Sequence, residues 1–126
     1  MNTEKNILVI EDEDDLAVLL SKRLRSEGYA VSRVSDGVQA LQQVRRLNPS
    51  LIILDLMLPG GGGLGVLVRL KMSVLTNDIP VLVLTGMQDP DYKEKVLEKG
   101  VDGYLQKPYD PVELLTEIKR LIGEAS

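Results

Sequence analysis

Leu51-Ile52-Ile53-Leu54-Asp55-Leu56-Met57-Leu58-Pro59-Gly60 decides the fold. Four unbroken aliphatic residues, bounded by Pro49-Ser50 and Pro59-Gly60, have the length and flanks of a strand buried on both faces, as in a parallel sheet. In an open α/β sheet the ligand crevice lies outside the carboxyl ends of the strands. Asp55 therefore stands where chemistry is expected. Taken alone, it is most simply a turn or helix-capping residue. Its companions change that.

Outward from this strand, apolar runs alternate with helical stripes. Ile7-Leu8-Val9-Ile10 is a second buried strand, ending in Glu11-Asp12-Glu13-Asp14-Asp15. Leu16, Leu19, Leu20 and Leu24 then predict one packed helix face, stopped at Gly28. Tyr29 to Val34 alternates apolar with polar, as a more exposed edge strand does. After the turn Ser35-Asp36-Gly37, the residues Val38, Leu41, Val44 and Leu47 mark a second helix. A third helix is predicted from about Leu64 to Val74, with Val66, Leu67 and Leu70 inward.

Val81-Leu82-Val83-Leu84 is the fourth strand and runs into Thr85-Gly86. A helix from about Asp91 carries Val96 and Leu97, and a short strand from Gly103 to Gln106 leads into Lys107-Pro108. Leu114, Leu115, Ile118, Leu121 and Ile122 line a last helix. This order predicts an α/β fold, a (βα)5 doubly wound five-stranded parallel sheet with right-handed crossovers. At 126 residues the chain is expected to form a single domain over 1–126.

Composition narrows the chemistry. With no cysteine, disulfides, zinc thiolates and thiol catalysis are out; with no histidine, so are the usual general base and the commonest transition-metal ligand. Net charge is −4 with no basic run and few aromatics, which argues against direct nucleic-acid binding. No stretch is long enough for a signal peptide or a membrane span, so a cytoplasmic location is expected.

The residues that follow each strand form a set. Strand one delivers Glu11 and Asp12, strand three Asp55, strand four Thr85 and strand five Lys107. In a doubly wound sheet they converge on one edge. Three carboxylates so placed repel, and a divalent cation relieves the conflict. An all-oxygen donor set selects a hard ion, Mg²⁺ with Mn²⁺ as substitute. The same set suits phosphoryl transfer: Asp55 as nucleophile, Lys107 as a point charge on the phosphoryl oxygens, and Thr85 as a hydroxyl donor. No strong base is placed to activate water.

From Ile7 to about Ile122 these residues resemble a response-regulator receiver domain, the phosphoacceptor half of two-component signalling. The resemblance implies the flavodoxin-like strand order 2-1-3-4-5, the order that chemotaxis receivers exemplify. It implies that Glu11 and Asp12 are the acidic metal-binding pair, Asp55 the phosphorylated aspartate, and the Met57 backbone carbonyl a further metal ligand. Thr85 matches the switch hydroxyl, Tyr104 the switch aromatic, and Lys107 before Pro108 the family lysine, whose bond to proline is often cis. The implied partners are a sensor histidine kinase or histidine phosphotransfer protein, and downstream an output domain or effector. The surface of the fourth helix, fifth strand and fifth helix is implied to change on phosphorylation, with homodimerisation as a family-level outcome.

The chain departs from the family at Gly60-Gly61-Gly62-Gly63, where the usual pattern resembles Pro-Gly-Met-Asp-Gly. Consecutive glycines raise the ordering cost of the loop and remove a side-chain cap, which predicts a more mobile loop beside Asp55. Val68 also puts an apolar residue where a charged one is common. Two other classes fit less well. A phosphatase of the haloacid-dehalogenase type needs a second Asp two residues after the nucleophile, where this chain has Met57. A flavin-mononucleotide carrier needs a phosphate cradle after strand one, where Glu11 to Asp15 would repel it.

Overall fold

The computed structural model describes residues 4–58 and 62–125. Five strands and five helices alternate among them: β1 (Asn6–Ile10), α1 (Asp14–Ser26), β2 (Ala30–Val34), α2 (Gly37–Leu47), β3 (Leu51–Asp55), α3 (Gly62–Met72), β4 (Val81–Thr85), α4 (Pro90–Glu98), β5 (Gly103–Gln106) and α5 (Pro111–Ile122). All strand pairs are parallel and the order is β2-β1-β3-β4-β5, as expected. The chain reverses its winding between β1 and β3, the switch point at which such sheets bind ligands.

The unbroken apolar runs are explained by two cores. Leu8, Ile10, Ile52, Leu54, Val81 and Val83 face one side of the sheet, against Ala40 and Val44 of α2, Val66, Leu67 and Leu70 of α3, and Val96 of α4. Ile7, Val9, Leu51, Ile53, Leu82 and Leu84 face the other, against Leu20 and Leu24 of α1 and Leu114 and Ile118 of α5. Alternate residues of one strand thus enter opposite cores, so β1, β3 and β4 have no polar face. Each such side chain contributes about 1.5–3 kcal/mol on burial.

Helix ends follow ordinary capping chemistry. Asp36, Asp89 and Asp110 accept backbone N–H bonds at the starts of α2, α4 and α5, and Pro90 and Pro111 occupy the first turns of α4 and α5. Gly28 follows α1 with a positive φ of 95°.

Several expected faces are corrected. On α1 the buried stripe is Ala17, Leu20, Ser21 and Leu24, while Leu16 and Leu19 are exposed. Small Ala17 and Ser21 let the helix sit close to the sheet, which a reading weighted toward large side chains misses. Val38 and Leu97 also face solvent. The third helix starts two residues before Leu64 and ends at Met72, leaving Val74 exposed beyond it. The expected loop mobility at Pro59, Gly60 and Gly61 lies outside the described residues.

Candidate functional site

The carboxyl edge of the sheet gathers the strand-end residues. Asp55 closes β3 and is buried, 4% exposed, because the strand carrying it is covered on both faces. Its Oδ1 accepts the Met57 backbone N–H at 2.9 Å, and its Oδ2 lies 3.2 Å from Lys107 Nζ. Glu11 follows β1 and is equally buried. Its Oε1 is 3.2 Å from the same Lys107 Nζ, and its Oε2 accepts the Glu13 N–H at 3.3 Å. One ammonium therefore bridges two buried carboxylates from different strand ends. Asp12 is exposed beside them, and Glu11, Asp12 and Asp55 each offer an oxygen within 4.8 Å of the others.

Lys107 is positioned by the sheet. Its backbone N–H donates to the Thr85 carbonyl at 2.7 Å, extending the β4–β5 pairing, and the bond to Pro108 is cis. Thr85 is fully buried; its Oγ1 accepts the Met87 N–H at 3.1 Å, which leaves its own hydroxyl proton free to donate. Tyr104 lies on β5, partly buried, with Lys93 Nζ of α4 5.3 Å from its ring centroid. Met57 is exposed, two residues beyond Asp55.

The electrostatics are those of crowded acids sharing too little positive charge. Glu11 is pushed up to about 7, first by burial and then by the hydrogen bonding and charge of Asp55, against the pull of Lys107 and the Glu13 amide. For Lys107, burial works to lower the pKa, but the charges of Asp55 and Glu11 outweigh it and hold the ammonium above the ordinary lysine value. A divalent cation on the three carboxylates would supply the missing charge. The donor set is all oxygen, in a chain without His or Cys, and fits a hard ion.

Two features escaped the sequence reading. Arg33, near the end of β2, donates from Nε to the Glu11 carbonyl at 2.9 Å and pairs through Nη1 with Asp14 at 2.8 Å. Its signal was a lone cation one residue from the carboxyl end of an edge strand. The exposed Leu16 and Leu19 line a groove of about 450 Å³ with Arg23, Tyr109 and Pro111, bordered by Glu11 and Lys107. The expected α1 stripe concealed that groove by assigning both leucines to the core.

Comparison with known proteins fits this geometry. A family model described as the response regulator receiver domain matches residues 7–119. The DNA-binding response regulator MtrA of Mycolicibacterium paratuberculosis is 39% identical over 91% of this chain and 50% of its own length. The phosphate regulon transcriptional regulatory protein PhoB of Klebsiella pneumoniae is 37% identical over 97% of this chain and 53% of its own. The chain thus spans about half the length of these curated relatives. Among solved structures, the receiver domain of a sensor histidine kinase from Pseudomonas aeruginosa, with a magnesium ion coordinated in its active-site cleft, superposes with a TM-score of 0.87 at 30% identity. It covers 97% of this chain and 100% of that one. The signal receiver domain of a signal transduction histidine kinase from Syntrophus aciditrophicus gives 0.88 at 33% identity, over 94% of this chain and 89% of its own.

Proposed function

This chain belongs to the response-regulator receiver family, the phosphorylated switches of two-component signalling, and on that premise we propose that Asp55 is its phosphoacceptor. The observation that carries the reading is the Lys107 ammonium held 3.2 Å from both Asp55 and Glu11. It fixes a buried carboxylate nucleophile between a cation and a metal-binding edge. The ion proposed is Mg²⁺, with Mn²⁺ as substitute, on Glu11, Asp12, Asp55 and the Met57 carbonyl. When bound, it neutralises charge on the incoming phosphoryl group.

The remaining chemistry belongs to the chain. An Asp55 carboxylate oxygen attacks phosphorus, the bond from phosphorus to the donor atom breaks, and the donor leaves with its electron pair. Lys107, already 3.2 Å from both Asp55 and Glu11, holds the phosphoryl oxygens as a point charge, and Thr85 donates its hydroxyl to one of them. That new bond draws Thr85, and the space it leaves lets Tyr104 shift. The α4-β5-α5 surface then changes its affinity for an output domain or effector. Autocatalysed phosphotransfer and slow dephosphorylation are parts of the same proposal.

The physiological donor is proposed to be a sensor histidine kinase or a histidine phosphotransfer protein. The apolar groove beside Lys107, with Leu16 and Leu19 at its wall, is suited to receive it. Residues 1–126 would act as one receiver unit in the cytoplasm, with homodimerisation on phosphorylation; no described helix is long and apolar enough to cross a membrane. Incubation with a small acyl phosphate and Mg²⁺, read by intact mass, tests the reading. One added phosphoryl group is expected on the wild type, and none without the metal or in Asp55→Asn. A wild type that binds Mg²⁺ yet never gains mass would overturn it.

A further inference from the structure

Two cations touch the acidic segment after β1, from opposite flanks. Lys107 reaches the Glu11 side chain from the β5 side. Arg33 reaches the Glu11 backbone from β2, donating through Nε to its carbonyl at 2.9 Å. The Glu11 N–H is held by the same strand, donating to the Val34 carbonyl at 3.0 Å. Both backbone polar groups of Glu11 therefore end on adjacent residues of β2. The other arm of the fork, Nη1, pairs with Asp14 at 2.8 Å, where α1 begins. Asp12 and Glu13 lie between the two anchor points.

The third guanidinium nitrogen, Nη2, is buried and has no partner among the described residues. A freely placed surface arginine would turn that donor to water. Here the planar fork is held by its two engaged nitrogens, at the expense of the third.

We propose that Arg33 is a positioning residue for cation binding: its fork spans Glu11 to Asp14 and holds the turn that carries Glu11 and Asp12. The inference rests on the reading that these carboxylates take Mg²⁺. Charge and geometry make opposite predictions for it. Arg33 is a positive charge beside a cation site, so by charge alone its removal tightens Mg²⁺ binding. As a clamp, its removal frees the turn, adds an ordering cost to binding, and weakens it.

The test is a Mg²⁺ titration followed by amide chemical shifts in the wild type, Arg33→Gln and Arg33→Lys, with amide hydrogen exchange in the metal-free proteins. Arg33→Gln is expected to raise the Mg²⁺ Kd about ten-fold. Exchange should quicken at the hydrogen-bonded amides of Glu11 and Glu13, while the β3 and β4 amides keep their protection. Lysine restores the charge but has no fork, so Arg33→Lys should recover little of the loss. An unchanged or lower Kd in Arg33→Gln, or full recovery in Arg33→Lys, overturns the proposal. If the glutamine variant does not fold, the lysine variant carries the same comparison. A wild type that takes up no Mg²⁺ at millimolar concentration would sink the metal reading instead. Exchange at Glu11 and Glu13 then still decides the clamp, which fails if Arg33→Gln leaves it unchanged.

Discussion

Glu11 shows most plainly what the metal-free site lacks. Raised to about 7, it binds its proton more tightly folded than unfolded. Its ionisation therefore opposes folding, and its share of stability falls as pH rises from 4.5 toward about 7. Glu11→Gln removes that penalty. Thermal unfolding in chelator should show the variant gaining on the wild type, by on the order of a few kcal/mol, between pH 5 and pH 7.5. A gap that does not move with pH would contradict the electrostatics described. Protons compete with the cation at the same group, so wild-type Mg²⁺ affinity should weaken as pH falls below 7. Lys107→Met offers a contrast. Losing an ammonium between two carboxylates should tighten Mg²⁺ several-fold, yet slow phosphorylation by roughly 100-fold through loss of a charge on the transferring group. Of these residues, Asp55 and Glu11 were legible because each follows an apolar run, and Lys107 because it follows a short strand just before Pro108. Arg33 was not, since one of its two partners is the Glu11 backbone carbonyl just past the end of β1, and no side-chain pattern encodes that.

At the scale of elements, the glycine run separates into positions with different duties. Gly62 opens α3 with φ +72°, a conformation open to glycine at little cost. A Cβ on Gly63 would come within 2.4 Å of Leu56 Cα and 2.6 Å of the Asp55 carbonyl oxygen. Gly63→Ala must therefore push backbone away from the phosphoacceptor. It should cost ~2 kcal/mol or more in chemical denaturation and depress phosphorylation with it. Gly65 is exposed on α3 with open space around its Cβ position. Gly65→Ala should stabilise by ~0.5–1 kcal/mol, a rise of a few degrees in Tm, with phosphorylation unchanged. The sequence showed four glycines as one flexible stretch; a close approach between α3 and the end of β3 is visible only in three dimensions. The exposed Leu16 and Leu19 follow a similar logic, because spacing identifies a helix while only packing chooses which stripe turns inward.

Across the whole molecule, strand order makes the site. Because β1 and β3 are neighbours and the winding reverses between them, residues 44 positions apart, Glu11 and Asp55, share one ammonium. The alternating cores were readable as unbroken aliphatic runs, whereas the order β2-β1-β3-β4-β5 came from family resemblance, since no local pattern specifies which strands pair. A cation that binds only the folded edge must stabilise the entire domain, so Tm should climb with Mg²⁺ concentration in the wild type and far less in Asp55→Asn. The most direct test of the central claim is to locate the phosphoryl group itself. Wild-type protein treated with acyl phosphate is reduced with borohydride, which converts an aspartyl phosphate to homoserine, and is then mapped by peptide mass. The account predicts homoserine at position 55 alone, and only when Mg²⁺ was present. Conversion at position 12, or phosphate found on a hydroxyl such as Thr85, would contradict it.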